Sequence, residues 1–342
     1  MLYLYYTMKL LSKKDDKKTE REKVDERREE VLARGRKFKY PLQFTKYRVV
    51  INTVLISTIV VAILVVSGWL ALYQFGMTSE MLFRVTKILP VPAATIDGES
   101  VLFSDYLMFY RSSITSIERQ SGQANSEGDT DTLQTQYKRS ALTEAEKYTY
   151  AVKLAHELEL DVTSEEIDEE FNRHLSIGGT NRSEEGFMKI INENFGLTKD
   201  EYERMIYLSL LKSKVENAID ETATATATKV EDILKSNGGN YTAVAEALGS
   251  AIQYQETGGL VSNQNIDGGR ASEAFKLEPG QQSGKFISIS GDGYYFVKLI
   301  NKTDTEVNFV SIKVPFTELD RRFAELTESG ALNEFVRITD NN

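Results

Sequence analysis

Apolar positions along this chain fall into three successive patterns. From Val49 to Tyr73, VVINTVLISTIVVAILVVSGWLALY, the run contains no charged residue. From about Leu107 to Ile219 apolar residues recur every three or four positions. Beyond that they come in short bursts, at Phe286–Ile289, Tyr294–Ile300 and Val307–Val314. The first pattern predicts a membrane-crossing helix, the second a series of amphipathic helices, and the third half-buried strands.

As a helix, the first run would extend about 37 Å at ~1.5 Å per residue, enough to cross a bilayer core of about 30 Å. No A-x-A site follows it, which argues against a cleaved leader. Arg34, Arg36, Lys37, Lys39, Lys46 and Arg48 precede it with no acid among them. The positive-inside rule then keeps residues 1–48, a charge-mixed tail, in the cytoplasm and sends the C-terminal body outside the cell membrane. The expected topology is single-pass, with 49–73 as the transmembrane helix and Trp69 and Tyr73 at the outer interface. Residues 74–93, with Pro90 and Pro92, read as a linker. Met8 offers an alternative start.

Residues 94–221 read as a helical domain entered by a small hairpin. The hairpin turns at Asp97-Gly98, and Ser104 caps a helix with Leu107, Tyr110, Ile114 and Ile117 on one face. A long helix is predicted from about Thr132 to Leu160. Thr163 with Glu166, and Thr198 with Glu201, have the spacing of capping boxes. Ser183 opens a helix that Gly196 stops. The tract TATATAT (222–228) reads as a hinge or an edge strand. Residues 222–306 read as a smaller α+β domain. Its helices are placed at Lys229–Leu234 and Tyr241–Leu248, and its strands at Phe286–Ile289 and Tyr294–Ile300. Residues 307–342 add a strand, Val307–Val314, and a helix from about Thr317 to Leu326, packing back on the body. The fold class is therefore α+β: one transmembrane helix, an all-α domain, then an α+β domain.

Composition narrows the chemistry. The chain has 342 residues, no cysteine and two histidines. Disulfides, thiolate catalysis and cysteine-held metals are excluded. Up to Arg48 there are 15 Lys/Arg and 8 Asp/Glu, leaving 26 and 43 beyond it. An acidic body lacks the basic face that nucleic acid requires. His156 and His174 read as exposed or helix-capping residues, and no cofactor or metal is expected.

The layout resembles the SurA/PrsA/PpiD-like membrane-anchored folding factors. ATIDGESVLFSDYLMFY is similar to their opening hairpin and helix. ALTEAEKYTYAVKLAHELELDVTSEEIDEEF and FGLTKDEYERMIYLSLLKSKV are similar to their later helices, so the likeness spans about residues 94–220. In residues 229–300, NYTAVAEALG, Gly258-Gly259-Leu260, Ala274-Phe275-Lys276-Leu277 and Gly293-Tyr294-Tyr295-Phe296-Val297 resemble a parvulin-type peptidyl-prolyl isomerase domain. Two departures stand out. TATATATK occupies the place of that family's opening strand and brings no histidine. Tyr295 stands where its second histidine would be.

The resemblance implies a membrane-anchored extracytoplasmic chaperone or foldase that binds unfolded, exported polypeptides. The alternatives are an active parvulin-type peptidyl-prolyl isomerase, and a structural spacer or adhesion protein. Isomerisation needs no covalent intermediate or metal, only an apolar pocket that favours a twisted amide. By position in the resemblance, Leu260, Ile266, Arg270, Phe275 and Tyr295 would line that pocket, with Ala271 as a substitute wall for Arg270. No catalytic residue is assigned. Tyr106, Phe109, Tyr110, Tyr148, Tyr202 and Tyr207 are candidates for either the helical core or a client surface. A groove between the two outer domains favours the chaperone. A closed apolar pocket at Leu260, Ile266 and Phe275 favours the enzyme.

Overall fold

A computed structural model describes residues 20–35, 41–121, 130–176, 181–265 and 267–338. The chain divides into two units, Met1–Leu70 and Ala71–Asn342.

The first unit is helical. Residues 20–35 form α1, exposed throughout. Pro41–Trp69 forms α2, followed by a π-type turn, Leu70–Gln74. The stretch Tyr47–Gln74 is long and apolar enough to cross a membrane. Two threonines within it are satisfied by the helix itself. Thr53 Oγ1 donates to Val49 O and Thr58 Oγ1 to Val54 O, each at 2.8 Å, the one-turn-back bond that satisfies a hydroxyl inside a helix.

The second unit begins with the last residues of that apolar stretch. Leu72 is buried in its core. Tyr73, expected at the lipid interface, instead donates its hydroxyl to Pro92 O at 2.8 Å and meets Phe103 edge-on at 5.9 Å. The segment expected as a linker also differs. It carries helix α3, Glu80–Ile88, whose Phe83 and Thr86 are buried. Pro90 and Pro92 end this helix rather than mark a free tether, since the residue before a proline is pushed out of helical geometry.

β1 (Pro92–Ile96) and β2 (Glu99–Leu102) form the hairpin, turned at Asp97 and Gly98, both with positive φ. Helices follow at Phe103–Ser121 (α4), Thr130–Glu157 (α5), Ser164–Leu175 (α6), Glu184–Phe195 (α7) and Lys199–Ile219 (α8). Both capping boxes form. Thr163 Oγ1 accepts from Glu166 N at 3.3 Å, and Glu166 Oε2 accepts from Thr163 N at 2.9 Å. Thr198 and Glu201 repeat the arrangement. Glu201, itself buried, also pairs with Lys87 at 3.3 Å and Arg111 at 3.6 Å, which ties α3, α4 and α8 together.

TATATAT is neither hinge nor edge strand. It lies in α9, Glu221–Ser236. The reason is in the spacing. A two-residue alternation also contains the i, i+4 relation, and Ala223, Ala227, Val230 and Leu234 take the buried face. Helix α10 (Tyr241–Leu248) follows, then β3 (Gln253–Glu256), β4 (Val261–Ser262), α11 (Arg270–Phe275), β5 (Phe286–Ile287), β6 (Gly293–Lys302) and β7 (Glu306–Pro315). The antiparallel sheet runs β3-β7-β6-β5, with β4 also on β7.

The long strands β6 and β7 expose two faces of opposite content. Even-numbered Tyr294, Phe296, Val310, Ile312 and Val314 pack under α9 and α10. Odd-numbered Val297, Leu299, Val307 and Phe309 pack under α11.

The chain then returns to the helical core. Helix α12 (Glu318–Ser329) buries Leu319 and Phe323 there, and β8 (Leu332–Glu334) adds a third strand beside β1. Asp220, between α8 and α9, secures this return. It is 2% exposed and accepts from Ala223 N at 2.8 Å, Thr317 N at 2.7 Å and Glu318 N at 3.1 Å. One carboxylate thus caps both α9 and α12.

Candidate functional site

A cleft of about 420 Å³ lies between the helical lobe and the sheet lobe. Helices α5 and α8 supply Tyr148, Tyr202, Met205, Ile206 and Leu210 as its apolar wall. Helix α6 supplies Glu170, Arg173 and His174. The sheet lobe contributes Gln264, Asn265, Asp267, Gly268 and Gly269, together with Ile289 and Ser290. The mixture is that of a binding site, an apolar lining with a few placed polar groups.

The polar groups are ordered as a chain. The Tyr202 hydroxyl lies 2.7 Å from His174 Nδ1. His174 Nε2 is 3.1 Å from Glu170 Oε1, and Arg173 Nη1 holds Glu170 Oε2 at 2.6 Å. Burial, reinforced by the nearby Glu170 carboxylate, pushes the Tyr202 phenol up to about 12. It is therefore a neutral hydrogen-bonding group at physiological pH and not a nucleophile. Phe171 and Phe187 contact its ring edge-on at 6.0 and 5.5 Å, fixing its orientation. His156 is exposed, whereas His174 belongs to the cleft and not to an exposed surface. The four-residue spacing of Glu170 and His174 on one helix was the available signal.

The aromatic candidates divide. Tyr106, Phe109 and Tyr110 are buried in the helical core. Tyr148 stacks on Phe109 at 5.2 Å and, like Tyr202, reaches the cleft wall.

The expected proline pocket does not assemble as an apolar chamber. Leu260 is exposed, and Ile266 lies outside the described residues. Phe275 packs beside Ala271, Ala274 and Leu277 under α11, with Lys302 Nζ 5.6 Å from its ring centre. Ala271 is fully buried in this core and does not substitute as a wall. Among the described residues Arg270 and Tyr295 do come together, with the guanidinium carbon 5.4 Å from the ring centre. Arg270 also donates to Asp267 O at 2.8 Å and Gln255 Oε1 at 2.6 Å. Tyr295 pairs in register with Lys313, whose Nζ lies 5.7 Å from the Tyr295 ring centre and binds Asp292. Charge occupies the place where a proline ring would need hydrocarbon.

Asp292 is held below the ordinary carboxylate range. Burial alone would raise it, but hydrogen bonds from Lys313, Ser288 and Ser290 outweigh that. Lys313 is raised for the reciprocal reason, its bond to Asp292 outweighing burial. The depressed carboxylate contributes stability above its unfolded pKa of about 3.9 and loses it as pH falls through the lower folded value. The raised ammonium contributes below about 10.4 and loses it as pH rises through its higher folded value. Urea unfolding followed against pH should therefore weaken at both extremes. Asp292→Asn should flatten the acid limb, and an unchanged acid limb would remove Asp292 from this role.

Among the described residues no group of three or more His, Asp or Glu side chains is placed to hold a metal ion. A family model described as the SurA-like N-terminal domain matches residues 43–216, just over half of the chain. The match reaches from α2 to α8, beginning some fifty residues before the likeness legible in the sequence. No curated protein matches the chain.

Proposed function

This chain belongs to the SurA-like N-terminal domain family, a chaperone-type class of folding factor, and we propose that it is a membrane-anchored holder of unfolded exported polypeptides. The observation that carries this reading is the cleft between the two lobes. Tyr148, Tyr202, Met205 and Leu210 offer an adaptable apolar surface to a client side chain. The Tyr202 hydroxyl and the remaining Arg173 N–H groups offer hydrogen bonds to its backbone, with His174 and Glu170 holding both in place. Tyr47–Gln74 supplies an apolar helix of anchoring length, and the basic stretch from Arg34 to Arg48 supports an extracytoplasmic body.

The sheet lobe favours a second reading, a parvulin-type isomerase. β7 sits between β3 and β6, so the segment after β6 completes the sheet, which fits a late strand standing in for the opening strand that TATATATK does not supply. Against efficient isomerisation stands the Arg270–Tyr295–Lys313–Asp292 cluster. We therefore read this lobe as a platform for the cleft.

The test uses the full chain in nanodiscs. It is added to a model protein whose refolding is limited by proline isomerisation and which also aggregates. The expected result is an unchanged slow phase with aggregation suppressed at stoichiometric amounts. Met205→Glu should weaken that suppression by about 5–30-fold, the equivalent of 1–2 kcal/mol at a contact residue. Acceleration at catalytic amounts would install the isomerase instead, and no effect on either would favour a spacer.

A further inference from the structure

Helix α3 has an outward face that the helical core does not use. Phe83 and Thr86 point inward. Met81, Val85 and Ile88, spaced as i, i+4 and i+7, point outward, followed by Leu89. C-terminal to the membrane-length helix, the four most exposed large apolar side chains among the described residues are Ile88 (82%), Met81 (77%), Phe75 (68%) and Leu89 (55%). All four lie between Phe75 and Leu89. Isolated exposed apolar residues are ordinary, but a cluster confined to one short segment calls for a partner.

The chain itself indicates which partner. Gln74 ends the apolar stretch and Glu80 begins α3. Six positions span at most ~21 Å at ~3.5 Å per residue, so α3 cannot stray far from where the chain leaves the bilayer. Nor is the connection loose. Met77 N donates to Ala71 O at 2.9 Å, and Lys138 Nζ donates to Gly76 O at 3.0 Å. The same face carries Arg84, whose side chain stays 76% exposed while pairing with Glu80 at 3.1 Å. An amphipathic helix with apolar residues outward and a cation at its flank suits the boundary between headgroups and acyl chains.

We infer that α3 is an interfacial helix. It lays Met81, Val85, Ile88 and Leu89 into the bilayer surface, with Phe75 beside them, and so seats the body directly on the membrane. This rests on the reading of Tyr47–Gln74 as a membrane span.

The absence of native cysteine allows a direct test. Met81→Cys, Val85→Cys and Ile88→Cys are each labelled with an environment-sensitive fluorophore in the full chain. The chain is reconstituted in phosphatidylcholine vesicles containing a minority of phosphatidylglycerol, with or without nitroxide-bearing lipid. Val60→Cys reports the span, and Ile190→Cys, an exposed apolar position on α7, is the control outside α3. The expected result is about twofold or greater quenching at 60, 81, 85 and 88, with none at 190. Quenching at 60 without quenching on α3 would overturn the inference and leave the span standing. No quenching at 60 would overturn both. Probes on α3 that are shielded but unquenched would show a protein covering this face, such as a second copy of the chain, and would also overturn it. Equal quenching at 190 would mean that the contact is not specific to α3, and the inference would fall in that case too.

Discussion

Replacing Gly291 with valine is expected to undock the sheet lobe from the helical lobe and abolish the client holding we propose. Gly291 lies in the turn between β5 and β6 with φ +67°, and that turn rests on α8. A Cβ at this position would fall well inside van der Waals contact with both Cβ and Oγ of Ser213. Rotating the serine hydroxyl away cannot relieve a clash with Cβ, so backbone must move. The left-handed conformation adds its own penalty, and together the two effects should cost about 2–5 kcal/mol. Ser213 lines the cleft, as do the neighbouring Ile289 and Ser290. Their separation would open one wall of the site. The control is Gly280→Val, where φ is +85° and no atom lies within 4 Å of the added Cβ. It carries the backbone strain without the collision. Limited proteolysis, thermal unfolding and aggregation assays on both variants should show a much larger loss for Gly291. Equal, small losses with holding intact would mean that the turn does not support the cleft.

Asp220→Ala is expected to remove about 2–5 kcal/mol of stability, because it leaves three backbone N–H groups without their acceptor. Two open α12 and one opens α9, so the loss falls on both lobes. Asp220→Asn keeps one acceptor oxygen and should fall between wild type and alanine. Urea unfolding in detergent measures this as a shift in midpoint. An alanine variant within about 0.5 kcal/mol of wild type would place it among ordinary surface substitutions and refute the bridging role.

The helices of residues 103–219 are legible because their information is local. Apolar stripes and Thr-x-x-Glu spacing are complete within a few turns, and both capping boxes form. What escapes depends on distant partners. β8 is three residues long and pairs with β1, more than two hundred positions earlier. No local period can announce such a strand. Helix α3 escapes because it is only nine residues long and runs up to Pro90 and Pro92, which read as a linker.

The site is legible in position more than in chemistry. Arg270 and Tyr295 stand out in the sequence, and they do meet. Lys313 and Asp292 join them only through the register of β6 on β7, which pairs Tyr295 with Lys313. Register is a tertiary outcome, fixed by which face is buried. The cleft itself lies between lobes, and of its lining residues only Tyr148 and Tyr202 are candidates for a client surface on sequence grounds.

The return of the chain through β7, α12 and β8 bears on how the molecule is born. Synthesis from the N-terminus delivers the apolar stretch Tyr47–Gln74 before either lobe. The central strand of one lobe and the third strand of the other come after every other strand of their sheets. Until residues 306–336 arrive, the β6 edge that β7 will cover and the β1 edge that β8 will cover both stand open. Unpaired edges are what other nascent chains adhere to. During its own biogenesis this molecule therefore passes through the condition of the polypeptides we propose it shelters, and a copy already complete would be a natural first nurse.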